Sequence, residues 1–211
     1  MRNILIMGLG RSGKTTLSNM LKAKYPQYNL IHSDSIKWAI IRADGKEKYY
    51  RENIKEQCKW ELSLYYQNIL IEFFNSSIRN DDGRWVELNG EIVKDNNIKS
   101  GKGYLLETGQ LEVNNVVSKI DLTNTIVICL GLGNSTKEEI FELCRKYDTE
   151  EDWSYSLSDE ELTKFSEMWY KQNETLKRSC SEHGIKYYDT SKSRKETLNK
   201  IIEQIRLELE M

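Results

Sequence analysis

Residues 8–15 read Gly8-Leu9-Gly10-Arg11-Ser12-Gly13-Lys14-Thr15 and satisfy G-x-x-x-x-G-K-[ST], the pattern of a loop that cradles nucleotide phosphates. Each residue type has a physical reason to be there. Glycines let successive backbone N–H groups turn inward toward phosphate oxygens, and a helix starting at once adds its partial positive charge. Lys14 would reach the β- and γ-phosphates, and the Thr15 hydroxyl would bind Mg²⁺. Thr16 completes the candidate nucleotide-binding set of residues 8–16.

The same stretch also matches G-x-G-x-x-G through Gly8, Gly10 and Gly13, and Asp34 stands near where a dinucleotide fold places its ribose-binding acid. Such a fold does not need Lys14-Thr15 after the third glycine, whereas a phosphate loop needs both. The phosphate loop is the preferred reading, with the dinucleotide fold as its competitor. Two further acids stand where strands are expected to end, Asp34 in His32-Ser33-Asp34 and Glu107 in Glu107-Thr108-Gly109-Gln110. Asp34 also reads as a cap for a helix starting near Ser35. Lys37 and Arg42 on that helix read equally as solvated charges, and His32 as a buried or capping histidine.

These residues need elements to position them. Ile4-Leu5-Ile6-Met7 is a short apolar run ended by glycines, as expected of a strand buried on both faces. Residues 14–25 have helical spacing (Leu17, Met20, Leu21) up to Pro26, the only proline. A strand over 29–33, a helix over 35–43 and one long helix over 47–74 follow. Residues 75–103 turn polar, and Arg84–Leu88 and Glu91–Val93 flank Asn89-Gly90, a β-hairpin signal. Strands return at 104–106, 125–130 and 185–188. Helices start at the Ser-x-x-Glu boxes Ser135/Glu138, Ser158/Glu161 and Ser193/Glu196. Gly184 is a helix stop. Repeated βα order predicts an α/β fold, a parallel sheet covered on both faces with ligands at its strands' carboxyl ends.

The chain has 211 residues, Lys+Arg 31 against Asp+Glu 33, and net charge -2. That suits one domain over 1–211 and gives no field to gather nucleic acid or membrane lipid. Cys58, Cys129, Cys144 and Cys180 form no CxxC pair and, with only His32 and His183, no zinc set. No secretory signal or stretch of about 18 apolar residues is present, so a cytoplasmic protein is expected. Nothing sets the oligomeric state.

Ser118-Lys119-Ile120-Asp121 imitates a guanine-reading motif, but a strong apolar strand follows it where a GTPase would have a helix. The arrangement instead resembles the small P-loop kinases, the nucleoside monophosphate kinase-like group that includes shikimate and gluconate kinases, over residues 1–74 and 104–205. The resemblance implies a three-layer αβα fold with five parallel strands in order 2-3-1-4-5, the 75–103 hairpin being inserted in the substrate region. It implies ATP and Mg²⁺ as cofactors and a small-molecule phosphoryl acceptor. By the same resemblance Lys14, Asp34, Glu107 and Arg145 are catalytic, with Arg145 in a lid over 145–157; Arg145 also reads as a charge favouring a helix C-terminus. Thr15 and Asp34 would bind metal, and Asp34, Lys37 and Arg42 would meet substrate. The loop Asp189–Lys192 would lie beside adenine. Lys37 stands where nucleotide kinases carry a phosphate-binding arginine, and no Pro-Arg follows Glu107, a departure from nucleotide kinases. Trp153 and Trp169 read as core or lid packing. The competing class is a regulatory ATPase or GTPase without a small acceptor.

Overall fold

Two strands are buried from end to end and apolar after a polar first residue, β1 (Asn3–Gly8) and β6 (Thr125–Gly131). In a computed structural model, which describes residues 2–80, 84–88, 90–95, 103–150, 152 and 154–210, they pair in parallel at the centre of a five-stranded sheet. On the other side of β1 lies β5 (Gly103–Glu107), then β2 (Tyr28–His32) at one edge. β7 (Lys186–Asp189) forms the opposite edge. With the hairpin set aside, the five strands run in order 2-3-1-4-5, as expected. β3 (Arg84–Leu88) and β4 (Glu91–Asp95) form a separate antiparallel pair with Leu88 opposite Glu91. Asn89 and Trp153 lie outside the described residues, as do 81–83 and 96–102 of the predicted insertion and 151 of the predicted lid.

Alternation along β1 explains why helices cover both faces. Leu5 and Met7 pack with one cluster, built with α5 (Leu64–Asn80), α6 (Val113–Lys119) and α8 (Asp159–Glu182). Ile4 and Ile6 pack with the other, built with α1 (Lys14–Lys24) and α9 (Arg194–Glu210). Truncating such a fully buried side chain to alanine removes about 2–5 kcal/mol.

Three local expectations are corrected. The 47–74 segment is three helices, α3 (Glu47–Glu52), α4 (Ile54–Glu61) and α5, because short polar side chains offer the backbone other partners. Asn53 leaves the helical region (φ -128, ψ 65) and donates Nδ2 to Tyr49 O. Ser63 Oγ donates to Trp60 O and accepts from Tyr66 N. The second correction concerns α7 (Lys137–Tyr147), whose capping box is Thr136/Glu139, one residue later than expected. Ser135 is buried in a turn, its N–H on Leu132 O. Third, α6 fills a stretch for which no helix was expected. It ends at Lys119, so the Ser118–Asp121 motif straddles the end of a helix and caps no strand.

α2 (Ser33–Ala43) begins directly after β2, with His32 at its N-cap position. Asp34 is therefore in the first turn of that helix and does not cap it. The capping box Ser158/Glu161 starts α8 as expected, and Gly184 adopts φ 67 where α8 has ended.

Candidate active site

The phosphate loop leaves the centre of the sheet at Gly8, whose φ is 136. A Cβ there would lie 1.9 Å from Leu130 O, so only glycine lets β1 turn against the end of β6. Leu9 N–H then donates to the same carbonyl at 3.1 Å. Gly13 (φ 89) is the N-cap of α1, whose first turn carries no acid to compete for an anion. The loop is folded on itself: Ser12 Oγ and Lys14 Nζ both donate to Leu9 O, at 2.8 and 2.6 Å. From outside, Thr190 Oγ1 donates to Ser12 O and Arg194 to Arg11 O. Thr190 of the loop after β7 and Arg194 at the start of α9 thus brace the phosphate loop. Burial lowers the pKa of Lys14, and Glu107 and Asp34 offset this only in part.

The carboxyl ends of β2 and β5 meet the loop from the side. His32 and Glu107 are register partners, and His32 Nδ1 lies 2.9 Å from Glu107 Oε2. One turn into α2, Lys37 Nζ lies 3.0 Å from Asp34 Oδ1 and 3.2 Å from Glu61 Oε1 of α4. Gln110 Nε2 bridges Asp34 Oδ1 and Glu61 Oε2. Its Oε1 accepts from Ser33 Oγ, Thr108 Oγ1 and Gly109 N. Of these residues all but His32 and Thr108 line a cavity of about 260 Å³, whose lining includes Lys14, Thr15, Asp34, Lys37, Glu61 and Glu107. Trp169 of α8 closes it over Gly10, its ring 3.5 Å from where a Cβ of Gly10 would sit. A second cavity of about 610 Å³ shares Leu62, Gly109, Met168 and Gln172 with the first.

The chain is similar over its whole length to solved kinase structures. A shikimate kinase from Bacteroides thetaiotaomicron superposes with TM-score 0.53 at 12% identity, covering 100% of this chain and 99% of that one. A gluconokinase from Sinorhizobium meliloti superposes with TM-score 0.50 at 10% identity, covering 98% and 97%. No family model matches the sequence, and no curated protein does either. The fold is that of a small P-loop kinase.

Within that kinase fold, the expected site residues divide into two groups. The loop residues 8–16, Asp34, Lys37 and Glu107 come together at the strand ends. Arg42 and Arg145 do not join them. Arg42 is exposed on α2, its Nε on Glu47 at 3.0 Å and its guanidinium near the Trp38 ring. Arg145 bonds Asp159 Oδ1 at 2.6 Å and Leu157 O at 2.8 Å, which ties the end of α7 to the start of α8. The cation that links the predicted lid to the phosphate loop is instead Arg11, paired with Asp148 and Asp152.

Sequence reasoning missed Glu61, Gln57 and Gln110. Gln57 Nε2 donates to Glu61 Oε1 at 2.7 Å, an i,i+4 pair on α4 that no motif marks. Gln110 stood beside the acid at the end of β5, in a segment singled out for Glu107 alone. Cys58 also lines the cavity, with its thiol pKa pushed up by burial and by Glu61, which leaves it unactivated. All four cysteines are free thiols. No helix among the described residues is long and apolar enough to cross a membrane.

Proposed function

We propose that this chain transfers the γ-phosphoryl group of Mg-ATP to the hydroxyl of a small molecule. The observation that carries the reading is one cavity in which Lys14 and Thr15 face Asp34 and Glu107, with the polar side chains of α2 and α4 opposite. Phosphoryl transfer of this kind depends on positioning and charge, with little covalent work for the protein. Folded glycines, a helix start free of acids and a lysine amine at its mouth suit a polyphosphate.

The donor set suits Mg²⁺. Thr15 supplies a hydroxyl and Asp34 and Glu107 supply carboxylates, while no group of three or more His, Cys, Asp or Glu among the described residues makes a closed cage. Mg²⁺ sites of this class take most ligands from phosphate and water. Bound there, the ion would neutralise charge on the phosphoryl oxygens, with Thr15 ligating it and Asp34 and Glu107 reaching it through its waters.

In the proposed reaction the acceptor oxygen attacks the γ-phosphorus as the bond to the bridging oxygen breaks, leaving ADP. The acceptor proton passes to Asp34. That side chain is 66% exposed, and Lys37 and Gln110 both bond its Oδ1, which would leave Oδ2 for the acceptor. Lys14 stabilises the negative charge on the transferred group.

The test is melting temperature with ATP, GTP or NAD, each with Mg²⁺, followed by transfer of labelled γ-phosphate to candidate alcohols. A ligand that binds only the folded state raises the melting temperature by mass action. A rise with ATP and label transfer to an alcohol are expected. A rise with NAD alone overturns the reading. So does ATP hydrolysis that no acceptor accelerates, which would mark a regulatory ATPase.

A further inference from the structure

The charges around Asp34 bear on which acceptors this site can take, an inference that rests on the phosphotransfer reading. Lys37 is the cation that α2 contributes to the cavity, and its side chain is only 8% exposed. Its charge is already matched. Nζ has Asp34 Oδ1 at 3.0 Å and Glu61 Oε1 at 3.2 Å.

Glu61 is as firmly placed. Its side chain is 15% exposed and accepts from Gln57 Nε2 at 2.7 Å and Gln110 Nε2 at 3.3 Å besides Lys37. The acceptor wall thus holds two carboxylates against one ammonium, with both amide groups turned to the carboxylates. Arg42, the other cation expected to meet substrate, is paired with Glu47 on the surface. A carboxylate or phosphate on the acceptor would have to displace Asp34 and Glu61 from Lys37 and then sit beside both. Hydroxyl groups meet no such repulsion, since they can donate to the carboxylates already in place.

We infer that the acceptor carries no negative charge beside its reacting hydroxyl, as in a sugar, a polyol or a nucleoside, and that Glu61 is the residue that rejects anionic acceptors. Glu61 does so by holding Lys37 and by repelling the anion directly.

The experiment measures kcat/KM for label transfer from ATP to matched pairs: glucose against gluconate, glycerol against glycerate, adenosine against AMP. The uncharged member of the accepted pair should exceed its anionic partner by about a hundredfold, the scale of like-charge rejection at close range. Glu61→Gln, which leaves the shape and loses the charge, should shrink that ratio about tenfold with the KM for ATP unchanged. Equal or faster transfer to the anionic partner overturns the inference and leaves phosphotransfer standing. An unchanged ratio in a folded Glu61→Gln protein removes Glu61 from the role; should that variant not fold, the wild-type ratio still decides the charge class. Transfer to no member of any pair, with ATP still hydrolysed, overturns the phosphotransfer reading and this inference with it.

Discussion

The guanidinium of Arg11, in the middle of the phosphate loop, lies 2.6 Å from Asp148 Oδ1, just past the end of α7. The Asp148 side chain is 3% exposed, and Asp152 adds a second carboxylate to the same nitrogen at 2.9 Å. Ser154 Oγ donates to Asp148 from the far side of the turn. Arg11 has φ 60, an uncommon conformation for a residue with a side chain. The connection between α7 and α8 is therefore anchored on the loop that would hold phosphate.

Removing Arg11 leaves a buried carboxylate without its cation, which in general destabilises by about 3–5 kcal/mol. Because Arg11 is itself a quarter exposed, Arg11→Ala should fall at the low end, about 3 kcal/mol in urea unfolding. Adding Asp148→Asn should recover part of that loss. A loss below about 1 kcal/mol would place the pair with ordinary surface salt bridges.

Acid should weaken the same anchor. Burial pushes the Asp152 carboxyl up, but the Thr149 N–H and the Arg11 guanidinium outweigh it and hold its pKa below the ordinary 3.8. A carboxyl depressed on folding stabilises above its unfolded pKa, and that contribution is lost as pH falls through the folded value. Asp152→Asn should therefore reduce stability at pH 6, and its deficit should shrink as pH falls below the ordinary carboxyl value of 3.8 and through the lower folded one. Parallel loss at both pH values would remove Asp152 from the anchor.

Lys14→Ala should reduce transfer by about 10²–10³-fold, the usual effect of deleting one stabilising donor. Folding should change little, since the amine bonds only a loop carbonyl and supports no core. The pH dependence of ATP affinity is sharper evidence. Phosphate binds the protonated amine, whose pKa in the free protein is lowered by burial against the pull of Glu107 and Asp34. Affinity should begin to fall at a pH below the ordinary lysine value of 10.5, and that inflection should vanish in Lys14→Arg. Calorimetric titration across pH 7–10.5 reads both.

Asp34→Asn should lower turnover by about 10²–10⁴-fold, the range of a positioned base, with ATP affinity little changed. Lys37 loses one carboxylate in that variant but keeps Glu61 at 3.2 Å, so the cavity wall should hold. A variant whose only defect is a lower melting temperature would reduce Asp34 to a charge at the start of α2.

How much of this was legible depended on how local each signal is. The strands and the phosphate loop rest on short-range patterns, apolar runs ended by glycines and a fixed Gly-Lys-Thr spacing, and both can be read along the chain, whereas the strand order came only with the family resemblance. Asp34 and Glu107 could be found because Glu107 ends a strand of the central sheet and Asp34 stands two residues past the end of another. Glu61 and Gln110 could not, because their role comes from a contact between α4 and the end of β5, 49 residues apart. Arg145 illustrates the converse. Its place after α7 suited a lid, but Asp159 lies next to it at the start of α8 and takes the guanidinium. Arg11 was counted only as a loop residue, since nothing in Gly-Arg-Ser foretells two aspartates 137 and 141 positions away.

Trp169 offers a direct optical test of nucleotide entry. Its indole lies over Gly10 in the cavity lining, and it packs with Phe165 at 6.4 Å between ring centroids. A polyphosphate in the loop would sit at that ring's edge and change its polarity and its contact with solvent. Titrating ATP with Mg²⁺ should therefore alter tryptophan emission, and Trp169→Phe should remove most of the change though four other tryptophans remain. The same variant should keep its fold, because replacing one partly buried ring by a smaller one costs about 1–3 kcal/mol at most. An emission change that survives intact in Trp169→Phe would mean that nucleotide binds away from Gly10, and the phosphate-loop assignment would fail at its central residue.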